Sequence, residues 1–181
     1  MYSDKNIVNL LTSLLIAKGI KKAVVCPGSR NIPIISNLRT VKEIECISVI
    51  DERSAAFYAL GVSLATGTPT IVCVTSGSAF LNTLPAIAEA HYRQVPIILI
   101  SADRPQEWIE RNDGQTMVQC GPTYGLFNSE VDVNDISNGE AENYSSLLIN
   151  NALNAALRDN RGPVHILSLI HISEPTRLDV I

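Results

Sequence analysis

The sequence predicts an α/β fold in three layers, with a mostly parallel β-sheet between two layers of helices. Short apolar runs alternate along the chain with amphipathic segments of helical length. Residues 70–74 (TIVCV) and 96–101 (PIILIS) contain no charged side chain, which is typical of parallel strands that are buried on both faces. Each helix between two such strands forms a right-handed crossover, so the carboxyl ends of the strands should lie at one edge of the sheet.

The composition is that of an ordinary globular domain. A chain of 181 residues that is 46% hydrophobic can bury one sizeable core but is too short for two large ones. A net charge of −4 gives no electrostatic reason to expect nucleic acid or an anionic membrane as a partner. The sequence also shows no signal segment and no apolar run of membrane-spanning length.

The cysteines indicate free thiols in a reducing cytoplasm. Cys26, Cys46 and Cys73 lie in apolar, strand-like runs, so we expect small buried hydrophobic side chains. No two cysteines form a C-x-x-C pair. Because paired thiolates are absent, we predict no zinc site and no metal ligands in this chain. The three histidines are isolated in the sequence and receive no functional assignment.

The first half of the chain should contain three strands. We expect Ser3 to cap the first helix and Gly19 to end it, because an apolar face at helical spacing lies between them. The elements predicted next are a strand at 22–26, a short helix at 31–38, a strand at 44–50, a helix at 52–66 that Gly67 ends, and a strand at 70–74.

The second half is predicted to contain two strands and an irregular region. A helix is expected at 79–93, with a kink or break at Pro85 because proline lacks the backbone N–H. Residues 106–138 have no clear period, and we expect polar turns with one or two short helices there. The remaining predicted elements are a strand at 96–101, a helix at 141–158 and a strand at 164–167.

Four polar turns should meet at one edge of the sheet, where open α/β sheets bind their ligands. They are PGSR (27–30), DER (51–53), TSGS (75–78) and ADRP (102–105). In the DER turn, Asp51 should cap the following helix, and Glu52 should lie beside the positive end of its macrodipole. Those two structural roles explain both acids, so DER alone does not establish a catalytic site.

Each of the other turns also has both a functional and a structural interpretation. PGSR combines backbone N–H groups, a hydroxyl and a guanidinium, which suits a carboxylate or phosphate, but an ordinary Pro-Gly turn explains it equally well. TSGS can bind an anion or simply cap the next helix. Arg104 in ADRP can bind a substrate or pair with Asp103 at the surface. The chain has neither a phosphate loop nor a G-x-S-x-G nucleophile elbow.

Taken in order, the motifs resemble one enzyme family. PGSR-x-x-P, DERSAAFYALG, TSGSA with N-x-L-P-A-x-x-E-A-H, ADRP, GQT and RGPVHI follow one another. They resemble the N-terminal pyrimidine-binding domain of the thiamine-diphosphate-dependent 2-succinyl-5-enolpyruvyl-6-hydroxy-3-cyclohexene-1-carboxylate synthases of menaquinone biosynthesis. The resemblance covers residues 1–166. Asn31-Ile32 after PGSR and residues 168–181 depart from the family pattern.

The resemblance implies a reaction and a set of site residues. The family decarboxylates 2-oxoglutarate and adds the succinyl-semialdehyde carbanion to isochorismate. Both substrates carry carboxylates, which gives arginines at the sheet edge a chemical purpose. Acid–base work on the cofactor's aminopyrimidine N1′ also requires a carboxyl in a dry pocket, which an apolar subunit interface could provide. The implied residues are Glu52 as the catalytic acid–base group, Pro27, Thr75 and Glu52 at the cofactor, and Ser29, Arg30, Arg104 and Gln115 at the substrates.

The resemblance also implies features outside this chain. Mg²⁺ or Mn²⁺ and the diphosphate would be bound by a C-terminal domain, and the full-length transferase would be a homo-oligomer. We therefore interpret the chain as a fragment, inactive in isolation, with a pyrimidine-binding domain at residues 1–167 and a non-native tail at 168–181. Two alternatives stay open: a subunit of another thiamine-diphosphate enzyme (acetolactate-synthase-like or a 2-oxo acid decarboxylase), and a non-catalytic interaction domain.

Overall fold

The computed structural model describes residues 3–104, 109, 114–121, 123, 125–158 and 161–169. Its strands are β1 (Lys22–Val25), β2 (Glu45–Ser48), β3 (Thr70–Val74), β4 (Ile97–Asp103), β5 (Ser129–Asn134) and β6 (Val164–Leu169). Its helices are α1 (Asn6–Ala17), α2 (Ile32–Thr40), α3 (Glu52–Thr66), α4 (Ser78–Tyr92) and α5 (Gly139–Leu157). The strands form one sheet in the order β2-β1-β3-β4-β6-β5, and every pairing among the described residues is parallel. The predicted α/β class is confirmed.

The two faces of the sheet build separate cores. Successive side chains of a strand point to opposite faces, so in β3 Ile71 packs with one cluster and Val72 with the other. The first cluster contains the apolar faces of α1, α2 and α5, and the second contains those of α3 and α4. The three predicted layers are therefore present. No helix within the described part of the chain has the length and apolar character needed to cross a membrane.

The ends of α3 and α1 differ in how well the sequence predicts them. Asp51 caps α3 by accepting a hydrogen bond from the Ser54 N–H at 2.7 Å, and Gly67 ends this helix with φ 66°, both as expected. The prediction for Ser3 was wrong, because α1 begins at Asn6 with Lys5 as its N-cap residue. The Ser3 hydroxyl instead accepts the Lys5 N–H at 3.1 Å, in the turn before the helix.

A kink or a break was predicted at Pro85, and helix α4 continues through this residue without a break. Both Pro85 and Leu81, one turn earlier, lie on the exposed side of the helix. Water can therefore satisfy the Leu81 carbonyl that would otherwise accept the missing N–H. The cost of proline is smallest on such a face.

The irregular region contains a strand that the sequence did not predict. Strand β5 has the sequence SEVDVN, lies at the edge of the sheet, and buries only Val133. Described residues between 114 and 138 include no helix, and residues 105–108 and 110–113 lie outside the described part. Strand β6 continues to Leu169, so the sheet includes the first two residues of the predicted tail. Residues 170–181 lie outside the described part, and the origin of the tail stays a prediction.

Two predictions of burial were wrong. Cys26 and Cys73 are buried as expected, but Cys46 is only partly buried because β2 is an edge strand. All four cysteines are free thiols. The apolar spacing of α5 predicts that Leu147, Leu148, Ala152, Leu153, Ala156 and Leu157 face inward. Ala152, Leu153 and Ala156 do face the core, but Leu147 is 57% exposed.

Candidate functional site

The four polar turns do lie at one edge of the sheet. PGSR follows β1, DER follows β2, TSGS follows β3 and ADRP includes the end of β4, and these strands are consecutive neighbours in the order β2-β1-β3-β4. Adjacent strands are about 4.8 Å apart, so the ends of β2 and β4 are separated by about 14 Å. Glu52 and Arg104 therefore belong to opposite ends of an elongated site.

The PGSR and TSGS turns touch each other. A Cβ atom on Gly28 would lie 2.6 Å from the Thr75 Cβ, so only glycine allows this approach. Asn31 fixes the turn from within, because its fully buried amide donates to the Cys26 carbonyl at 2.9 Å. The two residues expected at the cofactor, exposed Pro27 and half-buried Thr75, therefore lie on adjoining turns.

Ile32 gives the PGSR turn an apolar neighbour. Its side chain is 60% exposed and lines a cavity of about 490 Å³ between the turn and α2. Pro27, Gly28 and Arg39 also line this cavity. The Asn31-Ile32 pair, which departs from the family pattern, thus supplies one buried structural amide and one apolar wall.

Gln115 reaches the site through contact with TSGS. A Cβ atom on Gly77 would lie 2.7 Å from the Gln115 Cα, and Gly77 has φ 69°. Gln115 itself has φ 62° and an exposed side chain. The structure therefore places Gln115 against TSGS, at the predicted edge.

A buried carboxylate organises the arginine side of the site. Asp103 is fully buried. Its Oδ1 accepts the Arg104 N–H at 2.7 Å, and its Oδ2 accepts a hydrogen bond from the Gln119 side chain. Burial raises the pKa of Asp103, and the hydrogen bonds from Arg104 and Gln119 and the charges of Arg104 and Arg30 oppose that shift only in part.

The two arginines lie near this carboxylate. Arg30 is 7% exposed, and Arg104 donates from Nη1 to the Gly114 carbonyl at 2.9 Å. The surface arrangement considered for Asp103 and Arg104 is therefore wrong, because Asp103 is buried. Sequence reasoning assigned no site role to Asp103 or Gln119. The position of Asp103 at the end of an unbroken apolar strand was the available signal.

Glu52 lies at the other end of the edge, as the first residue of α3. It is half-buried, and Ser29 in the neighbouring turn is exposed. Burial, with the negative charges of Glu52 and Asp51 adding to it, raises the pKa of the Cys26 thiol to about 12. The carboxylate of Glu52 therefore lies close enough to the end of β1 to affect the Cys26 thiol electrostatically. Within the described residues it does not have the dry surroundings that acid–base work requires.

Comparisons with known proteins agree with this geometry. Residues 5–121 match the family described as thiamine pyrophosphate enzyme, N-terminal TPP binding domain. The chain is 49% identical over 175 residues to the 2-succinyl-5-enolpyruvyl-6-hydroxy-3-cyclohexene-1-carboxylate synthase of Bacteroides fragilis, covering 97% of this chain and 31% of that protein. It is 43% identical over 166 residues to the synthase of the same name from Porphyromonas gingivalis, covering 91% of this chain and 29% of that one.

A solved structure shares the fold. The thiamine diphosphate-dependent 4-hydroxybenzoylformate decarboxylase of Rhodococcus jostii superposes with a TM-score of 0.76 at 22% identity, over 90% of this chain and 30% of that one. The chain thus spans about a third of the length of these relatives. Because the family match covers more than half of the sequence, this chain belongs to the thiamine pyrophosphate enzymes, as a member of their N-terminal TPP binding domain family.

Proposed function

We propose that this chain is the pyrimidine-binding segment of a synthase that decarboxylates 2-oxoglutarate and adds the remaining four-carbon unit to isochorismate. One observation carries the proposal. The turns that hold Glu52 and Arg30 follow the neighbouring strands β2 and β1, and Arg104 follows β4, two strands further along the same edge of the parallel sheet. Relatives that are 43–49% identical to this chain are named as synthases of 2-succinyl-5-enolpyruvyl-6-hydroxy-3-cyclohexene-1-carboxylate, which supports the proposal.

Glu52 is the proposed acid–base residue. When bound, thiamine diphosphate supplies the electron sink for decarboxylation. Glu52 holds a proton that it exchanges with N1′ of the aminopyrimidine, while Asp51 provides the cap of α3 and leaves the Glu52 carboxylate for this task. Exposed apolar side chains flank the turn: Ile50 (85%), Phe57 (45%) and Tyr58 (49%). A second subunit covering them in a homo-oligomer would give Glu52 the dry surroundings that it needs.

Residues of the PGSR and TSGS turns suit the pyrimidine ring. Pro27 and Thr75 lie on the adjoining turns described above. The Ser76 hydroxyl is buried and has no hydrogen-bond partner among the described residues, so it can bond to a polar ring. The diphosphate and Mg²⁺ or Mn²⁺ would be held by the part of the relatives beyond this segment. The isolated chain should therefore bind the cofactor weakly and show no turnover.

The arginine side binds the substrates. Arg30 and Arg104 grip carboxylates, because guanidinium groups match their geometry. Buried Asp103 fixes the backbone of Arg104 by accepting its N–H, and both guanidinium groups lie close enough to interact with its charge. Ser29 and Gln115 are exposed at the same edge and offer hydrogen bonds to substrate oxygens. Free thiols fit the proposed setting in a reducing cytoplasm.

The test is a chimera in which residues 1–169 replace the corresponding segment of the Bacteroides fragilis synthase. We expect product from 2-oxoglutarate and isochorismate. Product from pyruvate alone would instead indicate an acetolactate-synthase-like or decarboxylase subunit. Normal subunit association without any turnover would indicate an interaction domain. Turnover by the isolated chain, with magnesium and both substrates, would contradict the proposed dependence on the rest of the enzyme.

A substitution in the same chimera tests the acid. Glu52→Gln should lower kcat by about 10²–10⁴, the usual contribution of general acid–base catalysis, and leave association intact by gel filtration. Asp51→Asn is the matched control, because an asparagine oxygen can still cap α3. Equal activity of the Glu52→Gln and unsubstituted chimeras would overturn the assignment.

A further inference from the structure

Three possible metal ligands meet at the end of the sheet farthest from Glu52. The Cys120 Sγ, a Glu130 carboxylate oxygen and a His165 ring nitrogen all lie within 4.8 Å of one another. Glu130 and His165 are paired residues of neighbouring strands β5 and β6, and Cys120 belongs to the segment before β5. Since β2 and β5 are opposite edges of the sheet, this cluster is separate from the proposed acid–base site.

The distances from the His165 Nδ1 to its two partners are close to those between ligands of one zinc ion. The His165 Nδ1 lies 3.7 Å from the Glu130 Oε2, beyond the usual range for an N–H···O bond. The same nitrogen lies 3.7 Å from the Cys120 Sγ. Zinc binds sulfur at about 2.3 Å and nitrogen or oxygen at about 2.0–2.2 Å in a tetrahedron, which places its ligand atoms about 3.3–3.6 Å apart.

Other residues already orient the histidine. The His165 side chain is fully buried, and its Nε2 lies 2.7 Å from the Ser101 hydroxyl. Phe80 and Phe127 stack on the imidazole, with ring centroids 4.8 and 5.3 Å away. Metal-binding histidines are commonly fixed in this way through the other ring nitrogen. Nδ1 is thereby directed at Cys120 and Glu130.

The glutamate is also held by neighbours. The Thr123 hydroxyl donates to the Glu130 Oε1 at 2.5 Å, and the Gly121 N–H donates to Oε2 at 3.2 Å. Each carboxylate oxygen keeps a further lone pair for an ion. The ligand positions are thus set by bonds that an ion need not break.

We propose that Cys120, Glu130 and His165 bind one Zn²⁺ ion, with water as the fourth ligand. A thiolate, an imidazole and a carboxylate together favour zinc over calcium or magnesium. Cys120 also lines a cavity of about 150 Å³ with Asp103, Gln119 and Asp132, so the cluster borders open space on the side of its thiol. On binding, Cys120 exchanges its thiol proton for the ion.

The proposed ion has a structural role. It would join the segment that carries Gln115 and Gln119 to strands β5 and β6. The absence of paired thiolates in the sequence argued against a zinc site, but this ligand set needs only one thiolate. Cys120 and Glu130 lie in one region of the sequence, but His165 follows Cys120 by 45 residues, so no spacing rule could identify the set.

The test uses the whole chain and zinc alone. After treatment with a chelator, the chain is dialysed against Zn²⁺ with a competing weak chelator, and bound metal is measured by mass spectrometry. We expect one zinc per chain. Cys120→Ser and Glu130→Gln should each weaken binding by at least about tenfold, since even outer neighbours of a metal commonly matter by 10–100-fold. Cys46→Ser, at a partly buried thiol in β2, should bind as the unsubstituted chain does.

Cobalt provides a second readout. The Co²⁺-loaded chain should show a thiolate-to-cobalt charge-transfer band that Cys120→Ser abolishes and Cys46→Ser keeps. Circular dichroism establishes that each variant is folded, and Glu130→Gln serves if Cys120→Ser does not fold. Failure of the unsubstituted chain to retain zinc, or equal zinc affinity in a folded cluster variant, would overturn the proposal.

Discussion

The two ends of the sheet present polar groups in opposite ways. Beyond β2, Glu52 is half-buried and its apolar neighbours Ile50 and Phe57 are exposed. At β6 and β5, His165 is fully buried and Glu130 has two neighbours that fix its oxygens. The first end needs another surface to become dry, whereas the second is already assembled within this chain. The proposed acid–base group is therefore partly exposed, whereas the histidine of the proposed metal site is enclosed.

The enclosed end of the sheet, at β6 and β5, also shifts the pKa values of its two ionisable side chains. Burial lowers the pKa of His165, although Glu130 opposes this shift, so the imidazole is held neutral. For Glu130, burial raises the pKa, but the interaction with His165 and the hydrogen bonds from Thr123 and Gly121 outweigh it and lower the pKa overall. The enclosed end therefore combines a neutral ring with a carboxylate whose charged form is stabilised by its partners.

Removing an aromatic side chain that packs on His165 should have the largest effect on the free energy of unfolding. Phe80→Ala deletes a buried ring that stacks on His165 and should cost about 3–5 kcal/mol of unfolding free energy. Phe57→Ala, on the exposed side of α3, should change it by about 0.5 kcal/mol or less. Urea unfolding of both variants measures the difference. Equal losses of unfolding free energy in the two variants would contradict the difference in packing between the two ends of the sheet.

Substitution of Gly77 tests how tightly TSGS packs against Gln115, with Gly61 in α3 as the control. Gly77→Ala should cost about 1–3 kcal/mol, because φ 69° with ψ −126° is a region that nearly only glycine adopts and the new methyl would meet Gln115. Gly61→Ala in α3 meets nothing within 4 Å and should add about 0.5–1 kcal/mol. In both thermal and urea unfolding, the midpoint should fall for Gly77→Ala and rise for Gly61→Ala. A neutral Gly77→Ala variant would mean that TSGS and Gln115 are not in contact.

The smallest effect is a difference in pH dependence between Asp103 and Asp51. Burial raises the pKa of Asp103, so its ionised form is disfavoured in the folded state and destabilises the fold as pH rises through that pKa. Asp103→Asn should therefore gain stability relative to the unsubstituted chain between pH 3 and 7. The hydrogen bonds from Ser54 lower the pKa of Asp51, so its charge stabilises the fold above its unfolded pKa and this contribution is lost in acid.

The control variant should therefore show the opposite trend. Asp51→Asn should lose stability relative to the unsubstituted chain as pH rises over the same range. Urea unfolding at several pH values gives both curves. Parallel trends for the two variants would show that Asp103 is not in the buried setting described here.

Local signals predicted the parts of the fold that depend on local interactions. The apolar runs of β3 and β4, the Asp51 cap and the Gly67 stop each follow from neighbouring residues, and right-handed crossovers then place the turns at one edge. Strand β5 was missed because an edge strand buries little, and its alternating charges resemble a loop. A kink or break was predicted in α4 because proline lacks the backbone N–H, and the exposure of Pro85 could not be known from sequence.

For the candidate site, too, the sequence predicted the residues within local motifs but not the contacts between distant segments. Motif order indicated Glu52, Arg30 and Arg104, and the structure places their turns along one edge. The burial of Asp103 and its bond to Gln119 depend on a contact between β4 and a later segment. The Cys120–Glu130–His165 cluster depends on three segments that meet only in the folded chain. Such contacts have no signature in a single sequence.

The central claim is that Glu52 exchanges a proton with the cofactor's aminopyrimidine. The most direct measurement is the rate at which the thiazolium C2 proton of bound thiamine diphosphate exchanges with deuterium in the chimera, followed by quenched-flow NMR. Glu52→Gln should slow this exchange by about 10²–10⁴, and Asp51→Asn should leave it unchanged. Exchange in Glu52→Gln as fast as in the unsubstituted chimera would contradict the claim.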